Sequence, residues 1–302
     1  MKMLPTDIQL ANEYTYSRKF IDKYIEKAIY ADEDTMNKVR HGVELLEEYR
    51  STEYSYASKN ERIAQIQHLE LEPLVVTILV GIAYCQTPEL FTSITAQLAG
   101  RLRFSEKIDG IKTIAEMVAV LCRTDAFDIL KVDKFASLTI QSNIPLDDKL
   151  LNYIHNSSYL PPMVCPPRKL VNNYSSGYLT HEDSLILGGY NHHDGDICLD
   201  ALNIANSVPL KLSTDFLSTF NEEPTYELDT PTKEVLWNQY VKQCYKYYMM
   251  IAKQGNRFYL THKPDKRGRI YAQGFHITSQ GTSFKKASIE LADEEVVLGS
   301  FL

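Results

Sequence analysis

The sequence has few cysteines and no long apolar run, and each scarcity excludes a class of protein. Its five cysteines are scattered without the short spacing of a zinc site, and their odd number argues against a disulfide framework. A reducing compartment therefore fits best. The longest apolar run, Leu74 to Tyr84, is too short to span a bilayer, which needs about 20 residues.

The N-terminal sequence also lacks the features of a targeting segment. Acidic residues are spread through it, whereas transit peptides are poor in them, and no signal-peptide apolar segment follows Met1. We therefore expect the chain to stay where it is made, in the cytoplasm, with no membrane partner.

Acidic residues outnumber basic ones overall, yet positive charge is concentrated in one stretch. The 302-residue chain has a net charge of −7, yet residues 251–286 contain eight basic residues and one acidic residue. This stretch has a net charge of +7 and the remainder −14. A polyanion would find one binding surface here and be repelled elsewhere. A solvated loop is the alternative, and for a charge run alone it is the better one.

Helical spacing of apolar residues dominates the first half of the chain, as in the series Ile21, Ile25 and Ala28. The predicted helices cover residues 20–28, 43–49, 73–86, 88–104 and 109–131. We therefore predict a helical N-terminal domain over residues 1–156.

A proline-rich run after Tyr159 changes the pattern. Four prolines between Pro161 and Pro167 exclude a helix, because each removes a hydrogen-bond donor and favours extended geometry before it. We predict a proline- and glycine-rich connecting region over residues 157–230, with short strands and helices. Within it the predicted helices are Ile197–Ser207 and Thr214–Phe220, and Pro209–Leu212 is extended.

One long helix is predicted over Pro231–Gln254, with proline at its start and Gly255 at its end. Strands over Arg257–Leu260 and Arg269–Ala272 are expected to flank a basic turn over Thr261–Gly268. The fold class is therefore mainly α with a small mixed α/β part.

One string in the basic stretch is more specific than its charge. Residues 265–271 read Asp-Lys-Arg-Gly-Arg-Ile-Tyr, and Ser279-Gln280-Gly281 and Lys285-Lys286 follow. The string resembles the single-subunit DNA-dependent RNA polymerases of phages and mitochondria. In that family an Asp-x-Arg-Gly-Arg-x-Tyr motif precedes a Gln-Gly pair and a lysine-bearing helix.

Two earlier segments resemble the same family, in the family's order. Pro162–Arg168 with Gly177-Tyr178 is similar to the passage that leaves the family's N-terminal domain, and Ala201–Leu212 to the helix and strand that follow. The resemblance implies a shortened thumb helix over residues 231–255 and the start of a polymerase palm over 256–302.

The resemblance also implies a set of residues that bind the RNA–DNA hybrid near the active site. The set is Arg267, Gly268, Arg269, Tyr271, Gln280, Lys285 and Lys286. Two arginines two positions apart on extended backbone can face one side, where their planar forks suit phosphate. A glycine between them permits close approach of a nucleic-acid backbone. Tyr271 is expected either to stack on the template or to pack in a core, and Asp265 to orient the arginines.

A metal site is not expected in this chain. His192-His193-Asp194-Gly195-Asp196 has suitable side chains, but adjacent histidines in a strand or turn point apart, so a turn is the better interpretation. Phosphoryl transfer needs two metal ions held by carboxylates, about 3.5–4 Å apart. No segment from Tyr271 to Leu302 offers such carboxylates, and the acidic run at 293–295 is interpreted as a helix end.

The resemblance therefore implies a subunit of a split, heterodimeric bacteriophage RNA polymerase, with no catalytic residue in this chain. Its expected partners are DNA template, nascent RNA and a second subunit with palm and fingers that binds Mg²⁺. A phage-encoded chain would act in the host cytoplasm. A catalytically inactive nucleic-acid-binding protein and a helical interaction protein with an incidental basic loop are the alternatives.

Overall fold

The computed structural model describes residues 4–100, 106–132, 137–156, 159–188 and 191–293. The chain forms two compact units. The helical unit is Arg18–Asn156, and the C-terminal unit joins Met1–Ser17 to Ser157–Leu302. Among the described residues, no helix has both the length and the apolar composition that a membrane span requires.

The first helix, α1 (Pro5–Tyr16), belongs to the C-terminal unit, although the sequence groups it with the predicted domain over residues 1–156. Ile8 and Tyr16 pack against the core of that unit. Glu13 is fully buried and accepts hydrogen bonds from the backbone N–H groups of Leu179 and Thr180, both at 2.8 Å. These bonds fix α1 in place, because a buried carboxylate is stable only when its oxygens are bonded.

The buried Glu13 carboxylate is strongly stabilised in its charged form. Burial acts to raise its pKa, but hydrogen bonds from His181, Thr180, Gln9 and the Leu179 N–H outweigh that effect and lower the pKa to about 2. The other ring nitrogen of His181, Nε2, lies 2.8 Å from Ser17 Oγ. This serine–histidine–glutamate arrangement is buried throughout, so it holds the helix and is closed to a substrate.

The helical unit is built from helices and one small sheet. Its elements are α2 (Arg18–Ala31), α3 (Glu33–Ser51), α4 (Ala57–Ala64), α5 (Leu71–Ile82), β1 (Glu89–Leu90), α6 (Phe91–Ala99), α7 (Lys107–Leu121), β2 (Phe127–Val132), β3 (Ser137–Ser142) and α8 (Asp148–Asn156). Ile21 and Ile25 of the predicted apolar stripe are fully buried, and Ala28 is partly buried against the same core, so the predicted stripe is the core face. The predicted helix over 88–104 starts too early, because Glu89 and Leu90 form β1 and α6 begins at Phe91. Residues 101–104 lie outside the described part of the chain.

The predicted helix over Asp109–Lys131 is wrong after Leu121. A short 3-10 turn follows, and Asp125 adopts a left-handed φ of 57°, which a continuing helix does not allow. β2 then pairs antiparallel with β3 and sets Ile129 opposite Ile140, while β1 lies on the other side of β3. The spacing of apolar residues over 127–132 fits a helix or a strand, and pairing with β3 makes this segment a strand.

In its described residues, the C-terminal unit combines helices with two small antiparallel strand pairs. After α1 its elements are α9 (Leu199–Ser207), β4 (Leu210–Leu212), α10 (Thr214–Thr219), α11 (Pro231–Lys253), β5 (Thr261–Pro264), β6 (Ile270–Gln273), α12 (Ser283–Ala287) and β7 (Ile289–Leu291). β4 pairs with β7, and β5 with β6. Tyr247, Ile251 and Phe258 form part of the core of this unit. The predicted class, mainly α with a small mixed part, is confirmed.

The described residues between 159 and 198 contain no regular helix or strand, as the prolines predict for the first of them. The short strands predicted here are limited to a single bridge, in which Met163 and Tyr259 exchange backbone hydrogen bonds of 3.0 and 2.7 Å. Cys165 is buried, and burial raises the pKa of its thiol, so it is a packing residue and no nucleophile.

The long helix α11 confirms its predicted start and end. The Thr230 side chain accepts a hydrogen bond from the Lys233 N–H at 3.3 Å, and Gly255 follows the helix with a φ of 108°. Tyr247 and Tyr248 are buried while Met249 is exposed, so one side of this helix packs against protein. Its assignment as a polymerase thumb stays a prediction.

Candidate nucleic-acid interface

The basic string forms the tip of the β5–β6 hairpin. Pro264 and Ile270 are the last paired residues, so the turn is Asp265 to Arg269 and both strands lie further along the chain than predicted. Within 257–260, where a strand was expected, Phe258 and Tyr259 each form an isolated bridge instead. The Gly268 N–H donates to the Asp265 carbonyl at 2.9 Å, and the Asp265 N–H donates to the Arg269 carbonyl at 2.8 Å. This pattern is a tight turn with a glycine bulge.

The Asp265 carboxylate is the organising group of the turn. Its Oδ1 accepts the backbone N–H of Arg267 at 2.8 Å and that of Arg269 at 3.1 Å. Its Oδ2 accepts the Nε–H groups of both arginines at 3.0 and 3.2 Å, and a second Arg267 nitrogen at 2.7 Å. Both guanidinium groups are therefore held on one carboxylate, which is the orienting role predicted for Asp265.

The turn directs positive charge into solvent. The side chains of Arg267 and Arg269 are 70% and 55% exposed, whereas Asp265 is 14% exposed. Lys266, which the sequence counts among the basic residues but not in the site, is also exposed. With three cations and one anion, the turn has a net charge of +2. Because each arginine keeps N–H groups beyond those bonded to Asp265, the arrangement can bind phosphate oxygens.

Gly268 is required by the backbone. Its φ is +82°, in the region that L side chains rarely adopt, and a Cβ placed there would have no protein atom within 4 Å. The open space also means that the tip is accessible from outside. Close approach of a nucleic-acid backbone to Gly268 stays a prediction.

Two of the other predicted residues support the hairpin. The Tyr271 hydroxyl lies 3.4 Å from Asp265 Oδ2, and its side chain is half-buried. The Gln280 amide bonds to the edge of β6: it accepts the Ala272 N–H at 2.8 Å and donates to the Ile270 carbonyl at 3.1 Å. Gln280 thus satisfies backbone groups of β6 that a neighbouring strand would otherwise bond. Its predicted contact with the hybrid backbone stays a prediction.

The two lysines of α12 differ in position. Lys285 is buried, and its Nζ donates to the Phe275 carbonyl at 2.6 Å and lies over the rings of Tyr240 and Phe275. Lys286 is exposed. Of this pair, Lys286 is therefore the one that can reach an external phosphate, and its contact with a hybrid stays a prediction.

Other cations of the basic stretch are also engaged within the protein. Arg257 forms a bidentate pair with Asp293, with distances of 2.6 and 2.8 Å. The Lys263 Nζ donates to the Ser184 carbonyl at 2.8 Å, and burial lowers its pKa. The charge counted along the sequence is therefore larger than the charge that a ligand can use, which is concentrated at the turn.

The turn also borders a cavity that the sequence does not predict. Its volume is about 630 Å³, and the loop with His192, His193 and Asp196 lines it together with the turn. This loop has no regular secondary structure, as expected. No group of three or more His, Cys, Asp or Glu side chains within the described ranges could hold a metal ion.

Comparison with known proteins gives a distant similarity. No family model matches the sequence. Over 171 residues the chain is 26% identical to the probable DNA-directed RNA polymerase of Gelasinospora sp. (strain G114). The match covers 54% of this chain and 19% of that protein, so the chain spans about a fifth of its relative's length. The similarity is thus distant and confined to part of the relative.

Proposed function

We propose that this chain binds template and RNA–DNA hybrid as one subunit of a DNA-directed RNA polymerase. The observation that carries the proposal is the hairpin tip, where Asp265 holds two exposed arginines side by side. A regular row of phosphates along a hybrid is a ligand that such paired forks suit, since each can bind an oxygen pair in one plane. The contact would position the hybrid without reading its sequence.

The similarity to a probable DNA-directed RNA polymerase supports the same conclusion from a separate direction. The complete activity is proposed for an assembly. In the proposed heterodimer, a partner subunit supplies palm and fingers and the carboxylates that hold Mg²⁺. Those ions would stabilise the attacking and leaving oxygens of phosphoryl transfer. The contribution of this chain is to hold the nucleic acid in place.

The test is primer extension in two arms. The purified chain, with Mg²⁺, nucleotides and an RNA primer annealed to a DNA template, should bind the primed template and add no nucleotide. The same chain, coexpressed with the neighbouring reading frames of its genome and purified as a complex, should extend the primer.

Each arm can contradict a different part of the proposal. Extension by the chain alone would remove the need for a partner subunit. A chain that binds hybrid, but forms no extending complex with any neighbouring product, would instead support the inactive nucleic-acid-binding protein. Failure to bind the primed template would support the other alternative, a helical interaction protein with an incidental basic loop.

A further inference from the structure

The cavity beside the basic turn combines two kinds of surface. Buried Ile186 and Leu202 form part of an apolar inner wall, together with Ile197. Lys266 and Arg267 of the turn, and Asp196 of the opposite loop, provide charged groups. The volume of about 630 Å³ lies within the range of about 300–1,000 Å³ that is usual for small-ligand sites.

Hydrogen bonds fix the walls of this cavity. The Asn173 side-chain amide donates to the carbonyls of His193 and Gly195, both at 2.7 Å, and so holds the loop. The Leu187 N–H donates to the Pro264 carbonyl at 2.8 Å and ties the segment that contains Ile186 to the hairpin. The cavity is therefore largely preformed, which lowers the entropic cost of binding.

The β5–β6 hairpin, whose tip lines the cavity, is also hydrogen-bonded to α9. His262 of β5 and Asn206 of α9 share a hydrogen bond of 2.9 Å, and Leu202 of the same helix faces the cavity. Burial lowers the pKa of His262, which favours its neutral form in this contact. The turn and the apolar wall thus belong to one connected support.

We propose that this cavity receives one unpaired nucleotide of the strand whose backbone lies on the basic turn. The proposal rests on the proposed function, and it adds an unpaired nucleotide to the phosphate backbone that the turn would bind. The base would lie against the apolar wall, since each base has an apolar face, and a phosphate would lie at Lys266 and Arg267. Asp196 offers an acceptor for a base amino group or a ribose hydroxyl.

The charges favour a nucleotide within a strand over a free one. Lys266 and Arg267 are offset by Asp196 and Asp265 among the lining residues, so the cavity alone has little net attraction for a highly charged free nucleotide. The neighbouring Arg269 and the exposed tip supply the positive charge that a strand would use outside the cavity.

The test compares two probes by fluorescence anisotropy: a blunt RNA–DNA hybrid, and the same hybrid with unpaired template nucleotides at one end. The wild-type chain should bind the extended probe about five- to tenfold more tightly, because the unpaired nucleotide adds contacts in the cavity. Cys198, which is exposed and lines the cavity, is replaced by a residue that fills it. Cys198→Trp should remove this gain and leave the affinity for the blunt hybrid unchanged.

The control is Ile204→Trp, a substitution of an exposed residue on α9 that is not among the cavity-lining residues. It should behave as wild type with both probes. Equal affinity of the wild-type chain for the two probes would overturn the cavity proposal while the proposed function stands. Loss of affinity for both probes in Cys198→Trp would also overturn it. If neither probe binds the wild-type chain, the proposed function fails first.

A second measurement uses the unmodified protein. Alkylation of Cys198 by N-ethylmaleimide, followed by mass spectrometry, should be slowed by the extended probe and unaffected by the blunt hybrid. The partly buried Cys122 of the helical unit serves as an internal reference. Equal protection by both probes would contradict the proposal, and so would protection by a free nucleoside monophosphate at the same concentration.

Discussion

Replacing Arg267 by alanine separates phosphate binding from a solvated loop. The Arg267 side chain is 70% exposed, and an exposed ion pair such as that with Asp265 contributes about 0–1 kcal/mol to folding. The free energy of unfolding should therefore change little. A charge-assisted contact to phosphate contributes about 1.5–3 kcal/mol. Affinity for an RNA–DNA hybrid should accordingly fall about 10- to 100-fold.

The salt dependence of binding gives a second magnitude for the same variant. The turn has a net charge of +2, and Arg267→Ala lowers it to +1. Each phosphate contact contributes about 0.9 to the slope of log affinity against log salt, so the slope should flatten by about one unit. The loss should be alike for all template sequences, because phosphate carries no base identity.

The assay is anisotropy of a labelled blunt hybrid over a salt series. Arg267→Lys should recover part of the affinity, since it keeps the charge and loses the planar fork. Lys233→Ala is the matched control, because Lys233 is a partly exposed, ion-paired lysine of the same unit, on α11. Wild-type affinity and slope in Arg267→Ala would refute the argument. An equal loss in Lys233→Ala would show that overall charge, and not the turn, attracts the hybrid.

Three further predictions concern the residues that support the turn and its unit. Because the pKa of Glu13 is lowered from 4.5 to about 2 on folding, its contribution of about 3 kcal/mol should be present above pH 4.5 and lost as the pH falls towards 2. Urea unfolding followed by the single tryptophan, Trp237, should show this pH dependence in wild type and little of it in Glu13→Gln. Gly268→Asn should fold normally, since asparagine tolerates a positive φ, and should weaken hybrid binding; unchanged binding would show that the glycine serves the backbone alone. Gln280→Ala should speed hydrogen exchange of the Ala272 N–H about five- to tenfold, and unchanged exchange would show that this bond is dispensable.

Local signals in the sequence are enough for several elements of the C-terminal unit. Proline at position 231 and glycine at 255 mark the ends of α11, and the structure confirms both. The sequence also predicts that Arg267 and Arg269 share an orientation, but on extended backbone. The structure instead places them in a turn, where both bond to the Asp265 carboxylate. Such features depend on neighbours in sequence, and the sequence shows those directly.

Features that depend on distant neighbours were not predictable in this way. Nothing near residues 127–132 shows that β3 will pair with them, so an apolar run was interpreted as helix. Lys285 and Lys286 are adjacent and chemically identical, yet the Phe275 carbonyl and the Tyr240 ring bury one of them. The cavity beside the turn is likewise formed by segments about 70 residues apart in sequence, residues 192–198 and 264–270.

The most direct test of the central claim, that the basic turn contacts the hybrid, is site-specific photocrosslinking. An RNA–DNA hybrid with 4-thiouridine in its RNA strand is irradiated with the intact chain, and the crosslinked peptides are identified by mass spectrometry. We predict crosslinks within residues 265–271 that an excess of unlabelled hybrid competes away. Crosslinks that lie mainly in the helical unit, or none at saturating hybrid, would contradict the account.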